Sequence, residues 1–195
     1  MQESSLMFLV KTIVVAASLL IVGDFLSTFC YHVPEHVFGK FHILVHHGKN
    51  RSFIHYAVLS RNPLVILDGF LGALPYFIFI PFAWQISSVG AILALILGEL
   101  HVIWRHVCVL NWQTPKPIAI VCRVLFIVTP ERHFQHHQNA QLAYGDIFTF
   151  FDAPAIAWMQ FLLALKQRFK PSPDTQKSRS TSPLAKRSNP NISKS

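Results

Sequence analysis

The sequence predicts an all-α membrane protein, with about three transmembrane helices and additional interfacial helices that carry a histidine-rich metal site. Three observations lead there. Of the 195 residues, 52% are apolar and 13% charged, with 17 Phe, which is too apolar for an ordinary soluble domain. Three apolar runs approach or exceed the roughly 20 residues that a helix needs to cross a bilayer. Eight of the eleven histidines crowd into two short segments at the ends of such runs, His32 to His47 and His133 to His137.

The net charge of +8 is uneven: from Lys166 onward there are eight Lys/Arg against one Asp. The basic pI therefore belongs to the tail, and no base-reading motif accompanies it, so nucleic acid is not an expected partner. Cys30, Cys108 and Cys122 lie in or beside apolar runs without a CxxC pair. They read as reduced, small apolar side chains rather than a disulfide framework.

In chain order, residues 6–29 form the first span, LMFLVKTIVVAASLLIVGDFLSTF. MQESS lacks the basic n-region of a cleaved signal peptide, so an uncleaved span is expected. Lys11 can snorkel toward one face. Asp24, costly in hydrocarbon, must face the protein interior, either as an interfacial cap or as an acceptor behind a histidine. The histidine segment follows, with Pro34 tolerated if a helix begins near His32. The basic GKNR stretch then suits the cytoplasmic side, and His55 reads as an interfacial histidine. Residues 63–84 form a second span, interrupted by Gly69, Gly72, Pro75 and Pro81. After the short link QISS, residues 89–109 return as the third, making a membrane hairpin. That return brings Glu99, His101 and His106 to the face of the first histidine segment. Polar groups in the last turns of a span point to a polar site. Residues 116–128 are too short to span and suggest an interfacial or re-entrant helix, and residues 153–166 a surface helix with Trp158 at headgroup depth. The expected organisation is a membrane-embedded domain over residues 1–166 and a disordered basic tail over 167–195, near anionic lipid on the cytoplasmic side.

Imidazole suits iron, zinc and copper, and residues four apart stack on one helix face. His32/His36, His42/His46 and His133/His137 can each clamp an ion, with His47 and His136 placed to reach a second. His101 and His106 are candidates to complete the site. Many histidines and few carboxylates favour a multi-histidine dinuclear centre. Such spacing arises easily by accident for one pair, much less so for three clusters in one small chain.

With these motifs placed, residues 24–152 resemble the fatty acid hydroxylase and sterol desaturase superfamily of membrane di-iron enzymes. The resemblance rests on the HxxxH box at His32 and His36 and the box His42, His46, His47. It rests further on Thr129-Pro130, on HxxHH at His133, His136 and His137, and on Tyr144-Gly145 and Asp152 downstream. It implies two irons held by these histidines, zinc being a possible substitute, with O2 as co-substrate. Tyr144 and Asp152 are expected behind the ligands, as are Asp24 and Glu99 from the cost of polar groups in apolar runs. The implied reaction hydroxylates or desaturates a lipid (fatty acyl, sterol or carotenoid). No haem, flavin or iron–sulfur motif is present, so a ferredoxin or cytochrome b5-type donor is expected at the cytoplasmic face. Two other readings are weaker. An intramembrane zinc protease needs HExxH, whereas this chain has HxxEH at 32–36. A metal transporter needs ligands strung through the bilayer midplane, whereas these histidines collect at one end.

Overall fold

In a computed structural model the protein is all-helical over the described residues, 4–47, 62–106 and 112–169. His55, Cys108 and nearly all of the basic tail lie outside them.

The first helix, α1 (Ser5–Leu26), starts on a Ser4 side chain that accepts from the Met7 N–H. It runs without a break through a π-helical turn (Ser27–His32) into α2 (Val33–Val37). Pro34 thus sits inside a continuous helix rather than at its start. A proline ring collides with the carbonyl four residues back in regular α-helix, and the widened turn just before it makes room. The combined rod is 33 residues long. At ~1.5 Å per residue that exceeds a ~30 Å hydrocarbon core, so one end can project past it.

A short helix, α3 (Phe41–Val45), follows, and beyond residues 48–61 comes α4 (Pro63–Ile86). Asn62 caps α4 by accepting from Leu64 N–H, and Pro63 occupies its first turn. Pro75 and Pro81 do not interrupt it: the helix is continuous for 24 residues. The expected four-residue link shrinks to Ser87, whose side chain accepts from Gly90 N–H and starts α5 (Ser88–Arg105). The α1–α2 rod, α4 and α5 are each long and apolar enough to cross a membrane. Their outward residues, among them Leu6, Phe82 and Ile96, are exposed, as lipid-facing side chains would be. A membrane protein fits.

Small residues set how closely these helices approach. A Cβ on Gly90 would stand 2.7 Å from the Thr12 carbonyl, and one on Gly23 would enter the Tyr76 ring.

The remaining helices gather at one end. In α6 (Lys116–Val124), Ile118, Ile120, Val121 and Val124 are exposed while Cys122 is buried. The chain then turns at Phe126, in the left-handed region at φ 56°. It pairs with the segment before the last helix: Val128 N–H donates to Ile147 O and Thr149 N–H to Phe126 O. Between them lies α7 (Pro130–Gln138), and α8 (Asp152–Arg168) closes the fold. Contrary to the expected surface lie, α8 packs Ala155, Met159 and Leu162 against Val33, Val37 and Tyr144. Trp158 Nε1–H donates to the Phe29 carbonyl, so the indole serves the protein rather than a headgroup.

Candidate metal centre

Four pieces of chain converge below the three-helix bundle: the π-turn with α2, α3 with the two residues after it, the end of α5, and α7. The π-turn shifts the helical phase so that His32 and, one turn on, His36 both face inward. His42 lies in α3, with His46 at its C-cap. His106 caps α5, and α7 brings His133, His136 and His137.

Nine imidazoles thereby form two groups. His32, His36, His42, His47 and His136 have ring nitrogens within 4.8 Å of one another, and so have His46, His106, His133 and His137. The pairs His32/His36 and His133/His137 each stay together, as helical spacing suggests. His42 and His46 do not: their rings stack 4.7 Å apart, yet their nitrogens serve different groups. His47 and His136 join the first.

The structure fits cations at both places. His32 and His136 Nε2 are 2.9 Å apart, His36 and His136 Nε2 3.3 Å, and His133 Nε2 lies 3.1 Å from both His106 and His137 Nε2. Metal–nitrogen bonds of ~2.0–2.1 Å leave ligand atoms about 3 Å apart, so these spacings suit a shared ion. Three rings have their tautomer fixed from behind. His136 Nδ1–H donates to Leu142 O, His106 Nδ1–H to Val102 O, and His42 Nδ1–H to Asp68. A neutral ring that donates from Nδ1 presents its Nε2 lone pair forward. His42 Nε2 and His47 Nε2 are buried with no hydrogen-bond partner among the described residues.

Burial, reinforced by neighbouring imidazoles, pushes His46 well below its ordinary value. His133 is also held well below its ordinary value, by burial and then by Arg105. Burial and Arg105 lower His106 to about 3, and burial lowers His136 to about 4. These rings are neutral near pH 7 and need lose no proton to bind metal.

The other expected site residues lie behind or outside the two groups. His101 belongs to neither; its Nε2–H donates to the Val128 carbonyl. Five residues separate it from His106, about 140° around a helix, so the two rings face different ways. Asp24, fully buried, reaches no imidazole. Its carboxylate accepts from Thr28 Oγ and from the backbone N–H of Asp146, Ile147 and Phe148, which makes it the anchor of the loop after α7. From that loop Asp146 accepts from Arg105 at 2.8 Å and stands 3.6 Å from His32 Nδ1. Burial alone would raise Asp146, but the Arg105 guanidinium holds its carboxyl below the usual range.

Tyr144 is fully buried. Its hydroxyl donates to Ala140 O, and its ring packs 5.0–5.6 Å from those of His32, His36 and His136. Asp152 accepts from Gly145 N–H and from Arg132, 2.8 Å away, so it shapes the loop and touches no histidine. Glu99 is exposed on α5 and lines a cavity of about 510 Å³ between the π-turn, α4 and α5. His32, His42, His46, His106 and His133 share the wall of that cavity. Asp68, which hydrogen-bonds His42, is not among the site residues expected from the sequence. Its signal was available, since it is the only charged residue in the 24-residue α4.

A family model described as fatty acid hydroxylase matches residues 16–154. The chain belongs to the fatty acid hydroxylase family. The matched stretch contains all nine clustered histidines and the segment that joins α7 to α8. Neither curated proteins nor solved structures give a significant match, so within the family the chain's own geometry must carry any finer assignment.

Proposed function

We propose that this member of the family is a membrane-bound di-iron oxygenase that hydroxylates or desaturates a C–H bond of a lipid, using O2 and electrons from an external donor. The observation that carries the proposal is the junction of two all-histidine groups with the apolar cavity. When bound, iron at these groups supplies the oxidising power needed for an unactivated C–H bond. His32, His36, His42, His47 and His136 would hold one ion, and His46, His106, His133 and His137 the other. Zinc is an alternative occupant of such a site.

The chain's own contribution is positioning. Leu142, Val102 and Asp68 orient the rings from behind, and Tyr144 closes one side against water. The cavity has the volume of a small-molecule site, and Ile66, Phe70 and Phe77, exposed on α4, share its wall. An apolar chain can therefore slide in from the bilayer and meet the histidines. A fatty acyl, sterol or isoprenoid chain suits that route better than a soluble substrate. We place the histidine groups and the carboxyl terminus on the cytoplasmic side, where the basic segments belong and a ferredoxin or cytochrome b5-type donor can dock.

A transport role is less favoured, since both groups sit at one end of the bundle rather than along a path through it. Iron analysis of purified protein, with lipid profiling by mass spectrometry of cells with and without it under oxygen, tests the proposal. A lipid heavier by one oxygen means hydroxylation, and one lighter by two hydrogens means desaturation. Iron-loaded, reconstituted protein that changes no lipid but oxidises a water-soluble metabolite would refute it.

A further inference from the structure

The structure assigns to Asp68, a carboxylate inside the transmembrane helix α4, the orientation of one ligand from each of the two histidine groups; this rests on the metal-binding reading above. Its Oδ1 accepts from His42 Nδ1–H at 3.0 Å and its Oδ2 stands 3.2 Å from the same nitrogen. Oδ2 also faces His46 Nδ1 at 3.9 Å, an electrostatic contact with a neutral ring edge. His42 belongs to the five-histidine group and His46 to the four-histidine group. The Nδ1 edges of both rings thus turn toward one carboxylate while their Nε2 atoms turn away from it. His42 Nε2 is buried without a hydrogen-bond partner among the described residues, and His46 Nε2 points to His106 Nε2 at 3.3 Å.

Asp68 is itself held. The Tyr31 hydroxyl donates to its Oδ1 at 2.6 Å, from the π-turn that carries His32, and its side chain is only 7% exposed. A carboxylate at that place in an otherwise apolar helix is costly unless it serves a polar site. Behind a metal-bound imidazole it fixes the tautomer, aims the ring and raises its basicity. Because the stacked His42 and His46 rings share this support, both ions depend on the same residue. Asp68 is a positioning residue: it touches imidazoles, not the ions.

Cobalt(II) alone is a suitable probe, titrated into detergent-purified protein and read by its ligand-field absorption and by stoichiometry. Wild type should take up one ion per histidine group. Asp68→Leu, compatible with a membrane helix, should weaken uptake at both groups by about ten- to a hundredfold and alter both sets of bands. Asp68→Glu should recover more affinity than Asp68→Asn, because it restores the charge. Should Asp68→Leu fail to give monodisperse protein, Tyr31→Phe keeps the carboxylate but removes its hydroxyl donor, and should shift affinity in the same direction by less. Wild-type affinity and spectrum in Asp68→Leu, or a loss confined to one ion, would overturn the assignment while leaving the metal centre intact. Failure of the wild-type chain to bind a pair of ions would instead overturn the metal-binding reading, and this inference with it.

Discussion

At the scale of single residues, what separates a candidate ligand from a bystander is where the other ring nitrogen goes. His136 donates from Nδ1 to Leu142 O and presents Nε2 to His32 and His36, whereas His101 donates from Nε2 to Val128 O and its remaining Nδ1 joins neither group. His136→Ala should therefore remove metal from the five-histidine group and abolish turnover, while His101→Ala should keep both ions. Metal analysis of the two purified variants, side by side, checks this; two retained irons in His136→Ala would contradict the ligand set. Asp24 differs in kind. Asp24→Ala leaves three backbone N–H groups and the Thr28 hydroxyl without their acceptor, at about 1–3 kcal/mol for each group left buried and unsatisfied. The expected outcome is a marked fall in thermal midpoint, larger than for Asp24→Asn, which keeps one acceptor oxygen.

At the scale of elements, close helix contact and cavity width are set by different glycines. Gly90 lies against Thr12 backbone, so Gly90→Leu should loosen the α1–α5 contact and lower stability of the detergent-solubilised protein. Gly72 faces the cavity, and a Cβ there meets nothing closer than 3.9 Å. Gly72→Phe should thus fold and hold both metals, yet narrow the chamber and shift product formation toward shorter or slimmer lipids in a competition assay. Equal turnover of all chain lengths would remove the cavity from the substrate route. The π-turn is the other decisive element. It carries the rod past Pro34 and sets the phase of His32 and His36, an effect that reading i, i+4 pairs along a regular helix does not reveal.

At the scale of the whole molecule, three apolar helices end in a polar layer that contains every clustered histidine. The proposed orientation puts that layer and the carboxyl terminus on one side of the membrane. Cysteine-accessibility labelling at Ser52 and Ser178, both outside the described residues, should find the two positions on the same face, the side of the electron donor. Labelling from opposite faces would break that topology. The family match ends at residue 154, part-way into α8. The helix nevertheless belongs to the packed body, since Met159 and Leu162 cover Val33 and Val37.

The sequence alone determined the three apolar helices, because burial in lipid is written locally as length and composition. It likewise determined the nine clustered histidines as candidates and the family, because ligand type and spacing within one helix are local properties. It also showed Asp24 to be an inward-facing group. Only the tertiary structure divided the histidines into five and four. His42 and His46 are neighbours by helical spacing, but which ion each ring can reach depends on His136 and His106, which other helices bring in. Tertiary structure alone turned Asp24 toward the loop at residues 146–148, chose His106 over His101, and set Asp68 behind both groups. Each of these is a contact between residues far apart in the chain, and a ring nitrogen or carboxylate oxygen has no preferred partner until packing supplies one.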